Sequence, residues 1–418
     1  MDLPEVALVN VLARFPLKSI ARFRLMSREW RSLIDSDFFR DYYISFNSSS
    51  SVSWSIIQIK PHKWSLEIVG HRGCERWGLD RSPGTFPSFF AETTITKMLV
   101  LSCTDGLVSI YTEDIDETPS YYIGNPLLQE WSRIPLPSLV SSLDLDFLRK
   151  NNHFNDTGLV TKMENGIVVS YKMVWFWISS DKLDFMVYSS DSGTWETIKN
   201  VRDLHSTILA GKERSIALNG ILHWLSTNSI IAYGFYGGGG HDGDGCGART
   251  VRFPCKDDEV RRFKRSFTAS EGSIVYLNEF RENGERTLRV WRLVKYTDGP
   301  EAWQVSWEII VPMSLIQFGT DYFPVVMHPL NSEIIYLWSR RKKGLILFNV
   351  RTLAFSLHKE YEYESKCVDG CILSFNMCTD YMKSIDYVPW YQGGTNDLFF
   401  SQYVLPRWLH RLPRPHRA

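Results

Sequence analysis

Three runs near the start decide how this chain is read: Leu3-Pro4-Glu5, Val11-Leu12-Ala13-Arg14-Phe15-Pro16-Leu17-Lys18-Ser19-Ile20 and Arg22-Phe23-Arg24-Leu25-Met26-Ser27-Arg28-Glu29-Trp30-Arg31-Ser32-Leu33-Ile34. Pro4 suits the first turn of a helix, where a missing N–H costs nothing. Leu8, Val11, Leu12 and Phe15 recur at helical spacing and predict a first helix. Pro16 ends it, because the residue before a proline avoids the α region. A second helix begins near Leu17, with Ile20 and Phe23 on one side. Ser27 is placed to cap a third, whose buried face is Trp30, Leu33 and Ile34. Ser36 caps a last short helical turn that holds Phe39 and Tyr43. The basic residues Lys18, Arg22, Arg24, Arg28 and Arg31 fall mostly on the other faces. Some 45 residues are too few to bury all these apolar stripes alone. The unit is therefore expected to dock on something.

The spacing of Leu3, Pro4, Leu12, Arg14, Pro16, Lys18, Ser19, Arg22, Phe23, Arg24, Ser27, Trp30, Ser32, Leu33 and Ile34 resembles the F-box of the large plant F-box family. Departures are mild: Ala7 where Leu is common, Phe15 for Leu, and Leu25-Met26 for Cys-Val. The resemblance implies binding to the Skp-type adaptor of a cullin-based ubiquitin ligase. It also implies that Leu3, Pro4, Leu8, Val11, Leu12, Pro16, Leu17, Ile20 and Trp30 form or support the adaptor-facing surface. The alternative is a helical cap that buries those residues against the rest of the chain.

Outward from there the composition changes. Residues 47 to 55, Asn-Ser-Ser-Ser-Ser-Val-Ser-Trp-Ser, read as a linker. Beyond it, short strands alternate with turns in units that start near 95, 160, 213, 263 and 322, a spacing compatible with ~50-residue propeller blades. Each unit reads strand, turn, strand, then an aromatic before an outer strand: Trp131, Trp195, Trp307 and Phe355. A sixth blade is expected to combine Val52 to Val69 with Cys371 to Val404, so that the two ends of the body close the ring. Gly124-Asn125-Pro126, Asn219-Gly220-Ile221-Leu222-His223-Trp224 and His328-Pro329 resemble the F-box-associated, kelch-like domain of plant F-box proteins. A pair of β-sandwiches is the alternative architecture. The expected fold is thus an α+β multidomain chain. It has helices over 1–45, a Ser-rich linker and propeller entry over 46–55, and a six-bladed kelch-like β-propeller over 56–405. A basic Pro/Arg tail over 406–418 reads as a solvated, disordered end.

Bulk composition narrows the function. Lys plus Arg is 47 and Asp plus Glu is 47, so the basic excess of a general nucleic-acid binder is missing. The longest apolar runs, such as Met173 to Ile178, fall far short of the ~20 residues that cross a bilayer. The N-terminus lacks the basic and apolar regions of a signal peptide. The seven cysteines are odd in number and scattered, which speaks against a disulfide framework. These features predict a cytoplasmic or nuclear protein with neither nucleic acid nor membrane as partner.

No catalytic or phosphate-binding motif is legible, and no cofactor or metal is expected. Cys367, Cys371 and Cys378 do not have zinc spacing. The Gly237–Gly247 stretch begins like a calcium loop but breaks the ligand set at Cys246 and Phe253. His223 beside Trp224 reads as a hydrogen-bonded core residue. The expected function is a non-catalytic receptor that ties an unknown target protein to a ubiquitin ligase core, with 143–155 and 233–249 as the first loops to consider for the target. A propeller lectin or enzyme with a helical cap is one alternative. An adaptor-bound F-box protein without a degradation role is another.

Overall fold

The computed structural model describes residues 5–47 and, within 54–414, the strands below with most of the turns joining them. The principal stretches outside the described residues are 1–4, 48–53, 61–64, 71–83, 86–94, 138–156, 204–214, 237–247, 255–263, 313–321, 340–343, 359–365, 374–401 and 415–418. Four helices come first: α1 (Glu5–Leu12), α2 (Leu17–Phe23), α3 (Arg28–Ile34) and α4 (Asp37–Phe46). Their boundaries follow from the capping chemistry. Ser27 Oγ accepts from the Trp30 N–H at 3.1 Å, and Ser36 Oγ accepts from the Phe39 N–H at 3.1 Å. Each bond satisfies a donor that the first helical turn leaves open. Pro16 stands at the start of α2.

Among the described residues the rest of the regular structure is antiparallel sheet, apart from one short 3-10 turn at Pro300–Ala302. The first strands are β1 (Trp54–Lys60), β2 (Ser65–Gly70) and β3 (Gly84–Thr85). Then follow four-stranded meanders: β4 (Ile95–Thr104), β5 (Leu107–Asp114), β6 (Pro119–Asn125) and β7 (Glu130–Ile134); β8 (Thr157–Glu164), β9 (Ile167–Ser179), β10 (Lys182–Ser189) and β11 (Trp195–Asp203); β12 (Ile216–Leu218), β13 (Ile221–Leu225), β14 (Ser229–Gly234) and β15 (Arg249–Arg252); β16 (Lys264–Ser270), β17 (Ser273–Glu282), β18 (Glu285–Leu293) and β19 (Trp303–Ile310); β20 (Tyr322–Met327), β21 (Ile334–Ser339), β22 (Gly344–Asn349) and β23 (Phe355–His358). A two-stranded hairpin, β24 (Lys366–Val368) with β25 (Cys371–Leu373), precedes the last strand, β26 (Gln402–Val404).

β26 does not pair with its neighbours in sequence. It joins β1, with Trp54 opposite Val404, and the sheet order is β26-β1-β2-β3. The two ends of the body therefore meet in one sheet, the device that closes a propeller and removes its open edges. The expected closing sheet forms from β1, β2 and β26. Cys371 lies instead in the separate hairpin. Sheets expected near 160, 213 and 263 begin at Thr157, Ile216 and Lys264.

The first hairpin of four meanders turns on an X-Gly pair: Asp105-Gly106, Asn165-Gly166, Asn219-Gly220 and Glu271-Gly272. All eight residues have positive φ, between 44° and 78°. Left-handed conformation at both central positions matches the twist of the strands on either side. Apolar clusters fill the space between successive sheets. One joins Tyr111 and Tyr121 to Tyr171, Met173 and Trp175. The next joins Val174 and Phe185 to Leu222, Trp224 and Ile231. Further round, Ile230 and Val251 meet Tyr276 and Trp303, and Leu277 and Val290 meet Ile335 and Phe348.

Outer-strand tryptophans stitch neighbouring sheets. The Trp195 indole donates to the Pro135 carbonyl just past β7, and the Trp303 indole donates to the Arg252 carbonyl of β15 at 2.7 Å. In the β16–β19 sheet the tryptophan that opens the outer strand is thus Trp303, not the expected Trp307, which lies in mid-strand and only partly buried.

Among the described residues no helix is long and apolar enough to cross a membrane.

Candidate functional site

The helical unit shares its interior with the ring. Val9, Leu12, Ala13, Leu17, Ile20, Ile34, Phe39 and Tyr43 are buried in one cluster. That cluster continues into Val108 and Ile110 of β5 and into Trp408 beyond β26. The Tyr43 hydroxyl donates to the Phe15 carbonyl, and the Asn47 amide donates to the Ala13 carbonyl at 3.1 Å, which ties α4 to the end of α1. The Tyr42 hydroxyl hydrogen-bonds the Asn10 amide oxygen.

This packing sorts the residues expected at the adaptor surface. Leu3 and Pro4 lie outside the described residues. Leu12, Leu17 and Ile20 are sealed inside, with Leu12 only 1% exposed, so they can support a surface but cannot themselves touch a partner in this arrangement. Leu8 and Trp30 are half-buried against the same cluster, and Pro16 is half-buried. Val11, at 50% exposure, faces outward, three residues on from Leu8 and so on the same side of α1.

The apolar atoms left in water are Val6, Val11, Phe15, Leu25, Met26, Phe38 and Phe46. Leu25 and Met26, 76% and 72% exposed, stand in the turn between α2 and α3. In the sequence they stand out only as departures from the family pattern. The available signal was two large apolar residues immediately before a capping serine, off any helical stripe. Arg14, Lys18, Arg22, Arg28 and Arg31 are exposed around them. Arg24 is engaged by Asp35 at 2.6 Å. The Glu29 carboxyl is held below its ordinary value by its own backbone N–H and then by the Ser27 hydroxyl. The outer surface of the helices is thus apolar patches among charges of both signs, the cations above with Glu29, Asp35, Asp37 and Asp41 also exposed.

In the body, His223 is fully buried. Its ring bridges the Ile216 carbonyl at 3.1 Å and the Tyr296 hydroxyl at 2.8 Å. A carbonyl only accepts, so Nδ1 carries the proton and Nε2 accepts from the tyrosine. Burial pulls the imidazole pKa down to about 4. It is a neutral core residue, as its place beside Trp224 on a strand suggested.

Among the described residues no group of three or more His, Cys, Asp or Glu side chains is placed to hold a metal ion. The Gly237–Gly247 stretch and Cys378 lie outside the described residues, as do the side chains of Cys367 and Cys371.

Helices followed by a closed ring of sheets define the class: an F-box protein with a β-propeller body. Two family models match, an F-box domain over residues 1–42 and the β-propeller of F-box protein At3g26010-like proteins over residues 52–414. The chain belongs to that F-box β-propeller family. It is similar to Arabidopsis thaliana F-box protein At3g23950, 60% identical over 99% of both chains, and to At3g23970, 58% identical over the same shares. The F-box/kelch-repeat protein At1g15680 of the same plant is 33% identical over 99% of this chain and 95% of its own.

Proposed function

We propose that this protein is the substrate-recognition subunit of an SCF-type (Skp-cullin-F-box) ubiquitin ligase, acting in the cytoplasm or nucleus without catalytic chemistry of its own. The helical unit binds the Skp-type adaptor, and the ring, read as kelch-like, holds a target protein. The observation that carries this reading is the two-sidedness of the helices in a chain with an F-box family match. One side is sealed on the ring, while Leu8, Val11, Phe15, Leu25 and Met26 remain at least partly open to a partner. The cations around them favour an acidic adaptor, because rim charges of opposite sign speed encounter and fix orientation. Leu12, Leu17, Ile20 and Trp30 support that surface from within. By the family resemblance Leu3 and Pro4, which precede α1 in sequence, belong to the same adaptor-facing set.

The work done is proximity. A tethered target meets the transfer centre at high effective concentration. The two loops first considered for the target fall largely outside the described residues, but the strand ends that carry them are placed. β14 ends beside the 219–220 turn, where the Phe235 N–H reaches the Gly220 carbonyl. β7 ends at Ile134, at the far end of its sheet from the 105–106 turn. The helices pack at the 105–106 and 165–166 end, with Ile44 against Gly166. β7 therefore ends toward the face away from the helices, which favours that face for a target.

The test is a binding titration with a purified Skp-type adaptor. Val11→Glu combined with Met26→Glu should weaken binding at least tenfold and leave the melting curve unchanged, since both positions are exposed. Normal adaptor binding by this double variant, or no binding by the unaltered chain, would overturn the reading.

A further inference from the structure

The last described residues, 406–414, do not trail into solvent as a Pro/Arg tail should. Trp408 is 4% exposed and Leu412 equally so. The segment starts where the ring closes, directly after β26, and runs beneath the helices. Pro406 seats on the Asp105-Gly106 turn so closely that a Cβ on Gly106 would stand 2.7 Å from its Cγ. Trp408 enters the helical cluster, with its ring 5.7 Å from Phe39 and 5.2 Å from Tyr43, beside Val108 and Ile110 of the ring. The Leu412 N–H then donates to Glu130 Oε2 at 2.9 Å, and the Leu412 side chain buries between the β4–β7 and β8–β11 sheets.

Trp408 thus touches helices and ring, on a segment anchored to the ring at both ends. Residues 48–53 join the helices to β1 in sequence, but a single covalent joint cannot set an angle between two bodies. An inserted tryptophan gripped from both sides can. We propose that 406–412 is a strap and Trp408 a positioning residue that fixes the orientation of the helical unit on the propeller. The strap stands on this packing alone. Its use, holding a target at a set distance from the adaptor, rests on the receptor reading above.

The experiment measures that orientation directly and needs neither adaptor nor target. Spin labels are attached to azide-bearing residues introduced at Arg31 in α3 and Glu196 in β11, both exposed, in the full chain. The native cysteines then stay untouched. The unaltered protein should give one narrow distance distribution. Trp408→Ala should at least double its width while the helical circular-dichroism signal and the propeller melt persist. Trp408→Phe, which can still reach Phe39 and Tyr43, should restore most of the narrowness. Leu412→Asp releases the strap at its ring end without touching the helical cluster, and should broaden the distribution as well.

Broadening in either variant with the helices intact supports the strap. Wild-type width in both overturns it. So does loss of the helical signal in Trp408→Ala together with wild-type width in Leu412→Asp, because Trp408 would then be only part of the helices' core. A chain that fails to bind an adaptor but shows this pattern would remove the receptor reading and leave the strap standing.

Discussion

The helical unit and the ring bury apolar surface by opposite arrangements. Each sheet of the ring has two faces to cover and covers them with its neighbours, so Phe185 packs among Trp224, Tyr233 and Phe235 within 4.8 to 5.5 Å. Among the described residues four successive interfaces are filled this way, and β26 pairs with β1 to bring the two ends of the body into one sheet. The helices have one inward side only. They complete it with Val108 and Ile110 of β5 and with Trp408, and leave Val11, Leu25 and Met26 in water. Small units cannot bury enough surface alone. The difference teaches that the boundary read from the Ser-rich stretch is a boundary of chain, not of packing. The ring can be imagined without the helices, but the helices cannot be imagined without the ring.

That contrast can be broken, and the largest effect should come from the ring. Phe185→Ala removes a fully buried ring from an inter-sheet cluster and should cost about 3–5 kcal/mol. Because closure couples the sheets, a single lowered transition for the whole β signal is expected in thermal unfolding. A melt that splits, with most of the β signal unmoved, would mean that the sheets are independent and the likeness to a closed ring is misleading.

Leu17→Ala, at a fully buried position in the helices, should cost about 3 kcal/mol and fall on them alone. Amide exchange in α1 to α3 should quicken by about two orders of magnitude while strands β8 to β23 keep their protection. Equal loss of protection in both regions would show one cooperative unit, and the comparison would collapse in favour of a single domain.

The smallest effect sharpens the ring's side. Its sign follows from His223, whose folded pKa of about 4 lies below the ordinary 6.5. Between those values the unfolded chain binds a proton that the folded one refuses, so stability is full above about pH 6.5 and falls as pH drops towards 4. The loss should amount to at most about 3 kcal/mol, from ~1.4 kcal/mol per unit. His223→Gln should flatten this slope in denaturant titrations from pH 7 to pH 4. An unchanged slope would place the acid sensitivity in carboxylates instead.

Much of this was legible because it is local. The serine caps and the Pro16 break depend on residues within four positions of one another, and each appears where the sequence puts it. The strand-turn-strand grammar placed the sheet starts for the same reason. What was misread depends on partners far away in sequence. Trp307 looked as suitable as Trp303 for opening the outer strand, yet only Trp303 lies within reach of Arg252, fifty-one residues earlier. Leu12, Leu17 and Ile20 carry the same apolar signature as Val11, and periodicity marks a stripe without saying whether the chain itself or a partner will cover it.

By itself the sequence determined the two kinds of architecture in this protein, helices first and β-meanders after, because hydrophobic period and turn chemistry are properties of short windows. It also determined the family, through many fixed spacings at once. Only the tertiary structure decided which apolar residues remain available and what becomes of the tail. Trp408, Leu409 and Leu412 sit among Arg407, Arg411 and Arg414, and their composition reads as solvated. Trp408 is buried because the closing strand delivers it to a gap between α4 and β5 that exists only once the ring is shut and the helices are seated on it, while Leu409 packs half-buried beside it and Leu412 buries between the next two sheets.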